Sequence, residues 1–207
     1  EMCIRDRTQT GGTITIPNNQ TYVIPEGHTF SGNVRFNKNG LLRVCGTATV
    51  SNIYENYSQS NIIVTSTGVW TSTNQLKLEE ANSDFTNYGT VTASSFQAQG
   101  EFYNYGTTTI SGGFTLDLKA KIYNHSTITM GGNCNVNQGG NLYNYCTMNV
   151  GGSSTNNGVL YNYGGFFVTG TIHFKYGANH NVGSGSFTTA GATEIRGIVK
   201  GPISGDY

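Results

Sequence analysis

Apolar and polar positions alternate along this chain in short runs, and the runs restart at nearly constant intervals. One block recurs as FTNYGT from Phe85, FYNYGT from Phe102, IYNHST from Ile122, LYNYCT from Leu142 and LYNYGG from Leu160. Its central Asn87, Asn104, Asn124, Asn144 and Asn162 stand 17, 20, 20 and 18 residues apart, a drifting period that marks a solenoid. Alternation resumes after each block. One column reads Val91, Thr108, Ile128, Met148, Phe166, and two positions on comes Ala93, Ile110, Met130, Val150, Val168. Such period-2 runs predict strands with these side chains pointing inward. A Gly or Gly-Gly bend follows, then a third short strand such as 114–118 or 133–137. No stretch holds a helical period.

LRVCGT at residues 42–47 fits the same frame with Val44 in the Asn place, and the 43 residues from Val44 to Asn87 leave room for one degenerate coil, around 61–78. The pattern predicts an all-β, single-domain parallel β-helix (a β-solenoid) of eight or nine coils of 17–20 residues, running from about Ile14 to Val199. Magnitudes require the coils to stack. Ordering 20 residues costs on the order of 30 kcal/mol of conformational entropy, while five or six inward apolar side chains return roughly 1.5–3 kcal/mol each. A single coil cannot fold alone. Stacked coils pair both edges of every strand and align equivalent residues about 4.8 Å apart. The Asn column then becomes a structural amide ladder.

Composition agrees with many bends between short strands. Gly, Asn and Thr fill 81 of 207 positions, and only 11% of residues are charged, 11 basic against 11 acidic. Nucleic acid is an unsuitable partner, because phosphate binding takes clustered Lys and Arg. Ordinary disorder is charge-rich and poor in aromatics, whereas aromatics make up 12% here. No apolar run approaches the ~20 residues of a membrane span.

Residues 1–7, EMCIRDR, match nothing downstream and resemble the in-frame translation of a transposon adapter used in sequencing libraries. The expected organisation is therefore a non-native or disordered segment at 1–7, N-terminal entry or capping coils at 8–40 and solenoid repeats at 41–207. Pro25 and Glu26 suit a capping coil, because proline and charge discourage end-to-end strand pairing.

The L-Y-N-Y-G-T-x-x-V-x-G blocks, preceded by TYVIPEGHTFSGN and LLRVCGT, resemble the Asn/Gly/Thr-rich β-solenoid repeats of large bacterial cell-surface and secreted adhesin-like proteins. The resemblance covers roughly residues 11–171. It implies a right-handed parallel β-helix, an extracellular or cell-surface location, attachment through parts of a larger polypeptide, and a structural or adhesive role without cofactor or metal.

Two outward columns flank each Asn: Thr86 and Tyr88, Tyr103 and Tyr105, Tyr123 and His125, Tyr143 and Tyr145, Tyr161 and Tyr163. Such rings stabilise a solenoid by stacking, at ~0.5–1.5 kcal/mol per pair, or present an aromatic face to glycans and partner surfaces. A second pair of columns reads Thr-x-Thr: Thr13 and Thr15, Thr47 and Thr49, Thr90 and Thr92, Thr107 and Thr109, Thr127 and Thr129, then Thr147 and Asn149. It breaks at Gly165 and Phe167 and across 51–84. On a flat sheet the hydroxyls form a grid of about 4.8 by 6.7 Å. In this the chain is similar to solenoid antifreeze proteins, which makes ice binding the alternative function.

Parallel β-helices also house polysaccharide lyases and hydrolases, whose chemistry needs gathered carboxylates. Asp84, Glu101, Asp117 and Glu194 are expected in different coils and columns, and the adjacent Glu79 and Glu80 on opposite strand faces. His28, His125, His173 and His180 lack metal-ligand spacing. No catalytic residue is assigned, and the chain reads as a non-enzyme, with a polysaccharide lyase or hydrolase β-helix as the distant alternative. Cys134 reads as a small core residue and Cys146 as a substitute for a bend Gly, with a bridge between the two left open.

Overall fold

Each alternating run becomes a short strand whose hydrogen-bonding partner is the equivalent strand one coil away. The computed structural model describes residues 2–3, 8–55, 59–175, 179–181, 184–195 and 198–200. Among these there is no helix; the strands stack as a parallel β-solenoid of about 9 turns. Of the seven N-terminal residues read as foreign, Met2–Cys3 pairs with Tyr22 and Val23, and the other five lie outside the described residues. Pairing crosses position 40 unbroken, since Thr21–Ile24 joins Gly40–Val44, which joins Ser60–Val64.

Two sheets form the walls. The first has 11 strands and contains the Asn-bearing segments, among them Asp84–Asn87, Glu101–Asn104, Lys121–Asn124, Asn141–Asn144 and Val159–Asn162. The second has 15 strands and changes character along the axis. Its early members are long: Thr29–Phe36, Thr47–Glu55, Val69–Leu78 and Thr90–Ala98. Thr90–Ala98 then pairs with two short strands at once, Thr107–Ile110 and Phe114–Leu116. The split falls at Gly112 and Gly113, and recurs at Gly131 and Gly132 and at Gly151 and Gly152. Backbone packs on backbone there: a Cβ on Gly131 would stand 2.3 Å from the Ser111 carbonyl oxygen. The coils are thus two-sided early in the chain and three-sided later.

The expected degenerate coil exists, built from Ser60–Val64 and Val69–Leu78, with Val64 between Val44 and Asn87 in register. Its irregularity has a physical centre. Thr47–Glu55 and Val69–Leu78 pair only over Thr47–Val50 and Val69–Ser72. Just past the end of Val69–Leu78 the Glu55 carboxylate links the two coils, accepting the backbone N–H groups of Glu79 and Glu80 at 2.7 and 3.0 Å. It also accepts the Ser60 hydroxyl. Glu55 occupies a core column, directly after Phe36.

Burial pushes the Glu55 pKa above 4.5, and the hydrogen bonds from Ser60, Ser83, Glu80 and Glu79 offset this only in part. A raised folded-state pKa means that the native state holds a proton which the unfolded chain releases. The contribution is complete below 4.5 and is lost as pH rises through the folded-state value. Glu55→Gln is therefore expected to raise the thermal midpoint at pH 7–8, with the gain disappearing below pH 4.5. An equal gain at both pH values would show that the carboxyl does not titrate in this way.

Candidate functional site

In Glu101–Asn104 the alternation buries Phe102 and Asn104 and turns Glu101 and Tyr103 outward. Tyr105 follows at the bend and is exposed. Repetition over successive coils turns these positions into four rows.

The innermost polar row is the amide ladder. Asn87, Asn104, Asn124, Asn144 and Asn162 are fully buried. Each Nδ2 donates to the next Oδ1, at 2.9, 2.9, 2.8 and 2.7 Å, and Asn162 Nδ2 closes the row on the Ser186 carbonyl at 2.9 Å. The second amide proton bonds a backbone carbonyl across the bend, as from Asn104 to Thr127 at 3.1 Å. Buried amides with both protons engaged rigidify the bend that carries the outward rings.

The outward aromatics form two continuous stacks. Tyr103, Tyr123, Tyr143 and Tyr161 stand with ring centroids 4.8–4.9 Å apart and planes within 7°. Tyr88, Tyr105, His125, Tyr145 and Tyr163 form the second stack at 4.6–5.3 Å, with His125 filling a tyrosine rung. All nine predicted aromatic residues are thereby brought together. Because each ring covers its neighbour, an inner ring presents its edge and polar atom, and only the two ends of a stack present a face.

Charges line the next outward column, and here the structure corrects the sequence reading. Asp84 and Glu101 are not in different columns; they pair in register on adjacent coils, because their spacing of 17 equals one coil. His173 and Glu194 pair likewise, with Nδ1 and Oε2 2.7 Å apart. Desolvation raises the Asp84 pKa, and the Glu101 charge adds to the rise. For Glu101, desolvation is outweighed by hydrogen bonds from Lys121 and Tyr103 and by the Lys121 charge, so its pKa falls. Lys121 Nζ lies 2.7 Å from Glu101 Oε1, and the Tyr103 hydroxyl donates to Oε2. Both oxygens of Glu101 are engaged, which makes the row a charge ladder on a sheet face. Among the described residues no group of three or more His, Cys, Asp or Glu is placed to hold a metal.

The Thr-x-Thr grid lies on the second sheet. Its first row runs in register through Thr47, Val69, Thr90, Thr107, Thr127 and Thr147, and its second through Thr49, Thr71, Thr92, Thr109, Thr129 and Asn149. Segment 51–84 therefore breaks only the first row, at Val69. Thr13 and Thr15, expected as members, belong to the neighbouring leg and pair with Asn33 and Arg35; Thr8 and Thr10 hold the grid positions instead. The cause is Gly11 and Gly12, at φ 75° and 79°, whose register shift moves the later residues past the corner. At the far end Phe167 folds over Gly165, where a Cβ would meet its ring at 2.6 Å.

The second row faces outward along the sheet. Thr49 is half-buried and Thr92 and Thr109 are exposed, yet none of these three hydroxyls has a hydrogen-bond partner among the described residues. Thr49, Thr92 and Thr109 line neither the groove on this sheet that runs from Thr129 and Asn149 nor the larger one that ends on Tyr88. The reason is the pleat itself, which sets equivalent side chains of stacked parallel strands side by side on an even surface. Thr49, Thr92 and Thr109 are thus sheet-face positions, suited only to a partner that is itself flat.

Cys45, Cys134 and Cys146 are free thiols; burial pushes the Cys134 thiol up to about 12, and Cys146 is exposed. The groove that ends on Tyr88, at the start of the second aromatic stack, escaped the sequence reading. Its lining includes the column Val23, Arg43, Ile63, visible in the sequence only as the non-aromatic predecessors of Thr86 and Tyr103. No family model, curated protein or solved structure matches this chain, so the geometry of these rows is the basis for any functional reading.

Proposed function

We propose that the chain is a non-enzymatic, structural and adhesive β-solenoid segment of a secreted or cell-surface protein, contacting glycans or neighbouring surfaces through its repeated rows. The observation that supports this is the in-register stacking of Tyr88, Tyr105, His125, Tyr145 and Tyr163, with Tyr88, Tyr105, Tyr145 and Tyr163 each 40–50% exposed. A row of ring edges and hydroxyls at one spacing offers many identical weak contacts, and a rigid support converts such contacts into avidity. The rod itself follows from the buried amide ladder, and export is part of the proposal. The test is adhesion of protein-coated beads to glycan-bearing surfaces, comparing wild type with Tyr105→Ser/Tyr145→Ser. Avidity is expected to fall more than ten-fold, because rungs act together; unchanged adhesion would remove the Tyr rows from the function.

A second reading has its own observation. The unbroken register of Thr90, Thr107 and Thr127 beside Thr92, Thr109 and Thr129 supports ice binding by the second sheet, and ice is a flat partner. Inhibition of ice recrystallisation, lost in Thr107→Lys and Thr127→Lys, is the expected result on that reading. Inactivity of the wild type dismisses it.

A further inference from the structure

We infer that the N-terminal end of the second aromatic stack is a binding site for a carboxylate-bearing pyranose, that is, a uronic-acid unit of an anionic glycan. This deepens the proposed adhesive function and rests on that reading. Tyr88 is the first ring of its stack. One face is covered by Tyr105 at 5.1 Å, and the preceding coil carries Thr65 and Ser66 at that bend instead of a ring. The other face of Tyr88 therefore looks along the solenoid axis over a groove of about 620 Å³. That volume lies within the ~300–1,000 Å³ range of small-molecule sites.

The lining has the composition such a ligand requires. Val23, Leu41 and Ile63 make an apolar floor, Tyr88 forms the end wall, and the exposed Ser66 and Arg43 supply polar groups. A pyranose set over Thr65, beside Ile63, with its C–H face against Tyr88 occupies the rung that the stack lacks. Arg43 stands in the outward column between Val23 and Ile63, one coil before Ile63, within reach of a substituent on that ring. Its column neighbours are apolar, and among the described residues no carboxylate pairs with it. An unpaired guanidinium beside an uncovered aromatic face selects a carboxylate for its fork geometry and a sugar for its flat apolar side.

The experiment is a calorimetric titration of the full chain with hyaluronan and oligogalacturonate oligomers, and with a neutral chitin oligomer of equal length. Saturable binding of at least one uronate oligomer is expected, about ten-fold or more tighter than the neutral oligomer. Arg43→Gln and Tyr88→Ala should each lose about ten-fold or more, Tyr88→Phe should keep the affinity, and unaltered circular dichroism should show that all variants fold. Absence of saturable uronate binding, equal affinity for the neutral oligomer, or an unaffected Arg43→Gln overturns the proposal. Tyr105→Ser/Tyr145→Ser separates the two ideas: bead adhesion unchanged in that variant, with uronate affinity lost in Arg43→Gln, sinks the distributed-row reading and leaves the groove. The opposite pattern sinks the groove alone.

Discussion

Asn124→Ala is expected to destabilise the fold by about 3–5 kcal/mol, the largest loss of any single substitution considered. Asn124 is fully buried, and four hydrogen bonds depend on its amide. Nδ2 donates to Asn144 Oδ1 at 2.8 Å and to the Thr147 carbonyl at 2.9 Å, while Oδ1 accepts from Asn104 Nδ2 at 2.9 Å and Ser126 N at 3.3 Å. Truncation leaves buried polar groups unsatisfied on both neighbouring coils, and each costs more than a hydrogen bond normally contributes. Position in the row sets the size of the effect. Asn87 is the first rung, preceded in register by Val64 and Val44, so Asn87→Val extends the apolar part of the column and strands no amide on a preceding coil, although the Thr107 carbonyl and the Gly89 N–H lose their bonds to it at 3.1 and 3.0 Å. Asn104 Oδ1 would still accept from the Thr108 hydroxyl at 2.8 Å. Thermal and denaturant unfolding should rank Asn124→Ala well below Asn87→Val. Equal losses would mean that position in the row does not set the size of the effect.

The second large effect has the opposite sign. Asn156 is 1% exposed, and among the described residues neither its Nδ2 nor its Oδ1 has a hydrogen-bond partner. It stands in a core column between Val136 and Phe174, with Leu116 one coil further back. The amide row lies on the other sheet and gives it nothing to bond. A buried unpaired amide costs about 1–3 kcal/mol, so Asn156→Leu, similar in shape, should stabilise the protein by that amount and raise the unfolding midpoint. A lowered midpoint would show that the Asn156 amide is satisfied in solution and that the column cannot take Leu.

The two asparagines show how far local pattern reaches. The five ladder residues were legible because the block around them repeats, and an inward Asn that recurs once per coil has only one way to be satisfied. Asn156 occurs once, in a coil whose chain neighbours look ordinary, and its cost is set by Val136 and Phe174, which are remote in sequence. The same division governs the outer faces. Tyr103, Tyr123, Tyr143 and Tyr161 were assignable to one column by spacing alone. That the ring faces in this stack and in the second one are covered by neighbouring rings, leaving edges outward and, at the start of the second stack, a free face at Tyr88, depends on ring geometry between coils. Thr49, Thr92 and Thr109 were assignable to a row in the same way, but whether that row is flat or concave depends on how the strands stack. Asp84 and Glu101 each stand three residues before a ladder asparagine, so the 17-residue step that aligns Asn87 with Asn104 also aligns the two carboxylates, and their pairing was legible in the repeated block.

Alternation, the repeated block and the Gly-Gly bends determined, without coordinates, that this chain is a parallel β-solenoid with a buried Asn row and outward Tyr and Thr rows. These are properties of residues that lie near one another in the chain or recur at its period. The tertiary structure alone decided the Glu55 plug where two long strands part, the passage from two-sided to three-sided coils, the orphaned Asn156 and the groove at Arg43 and Tyr88. Each of these arises where one coil differs from the next, so its energy depends on the mismatch between stacked neighbours, which a repeat pattern averages away.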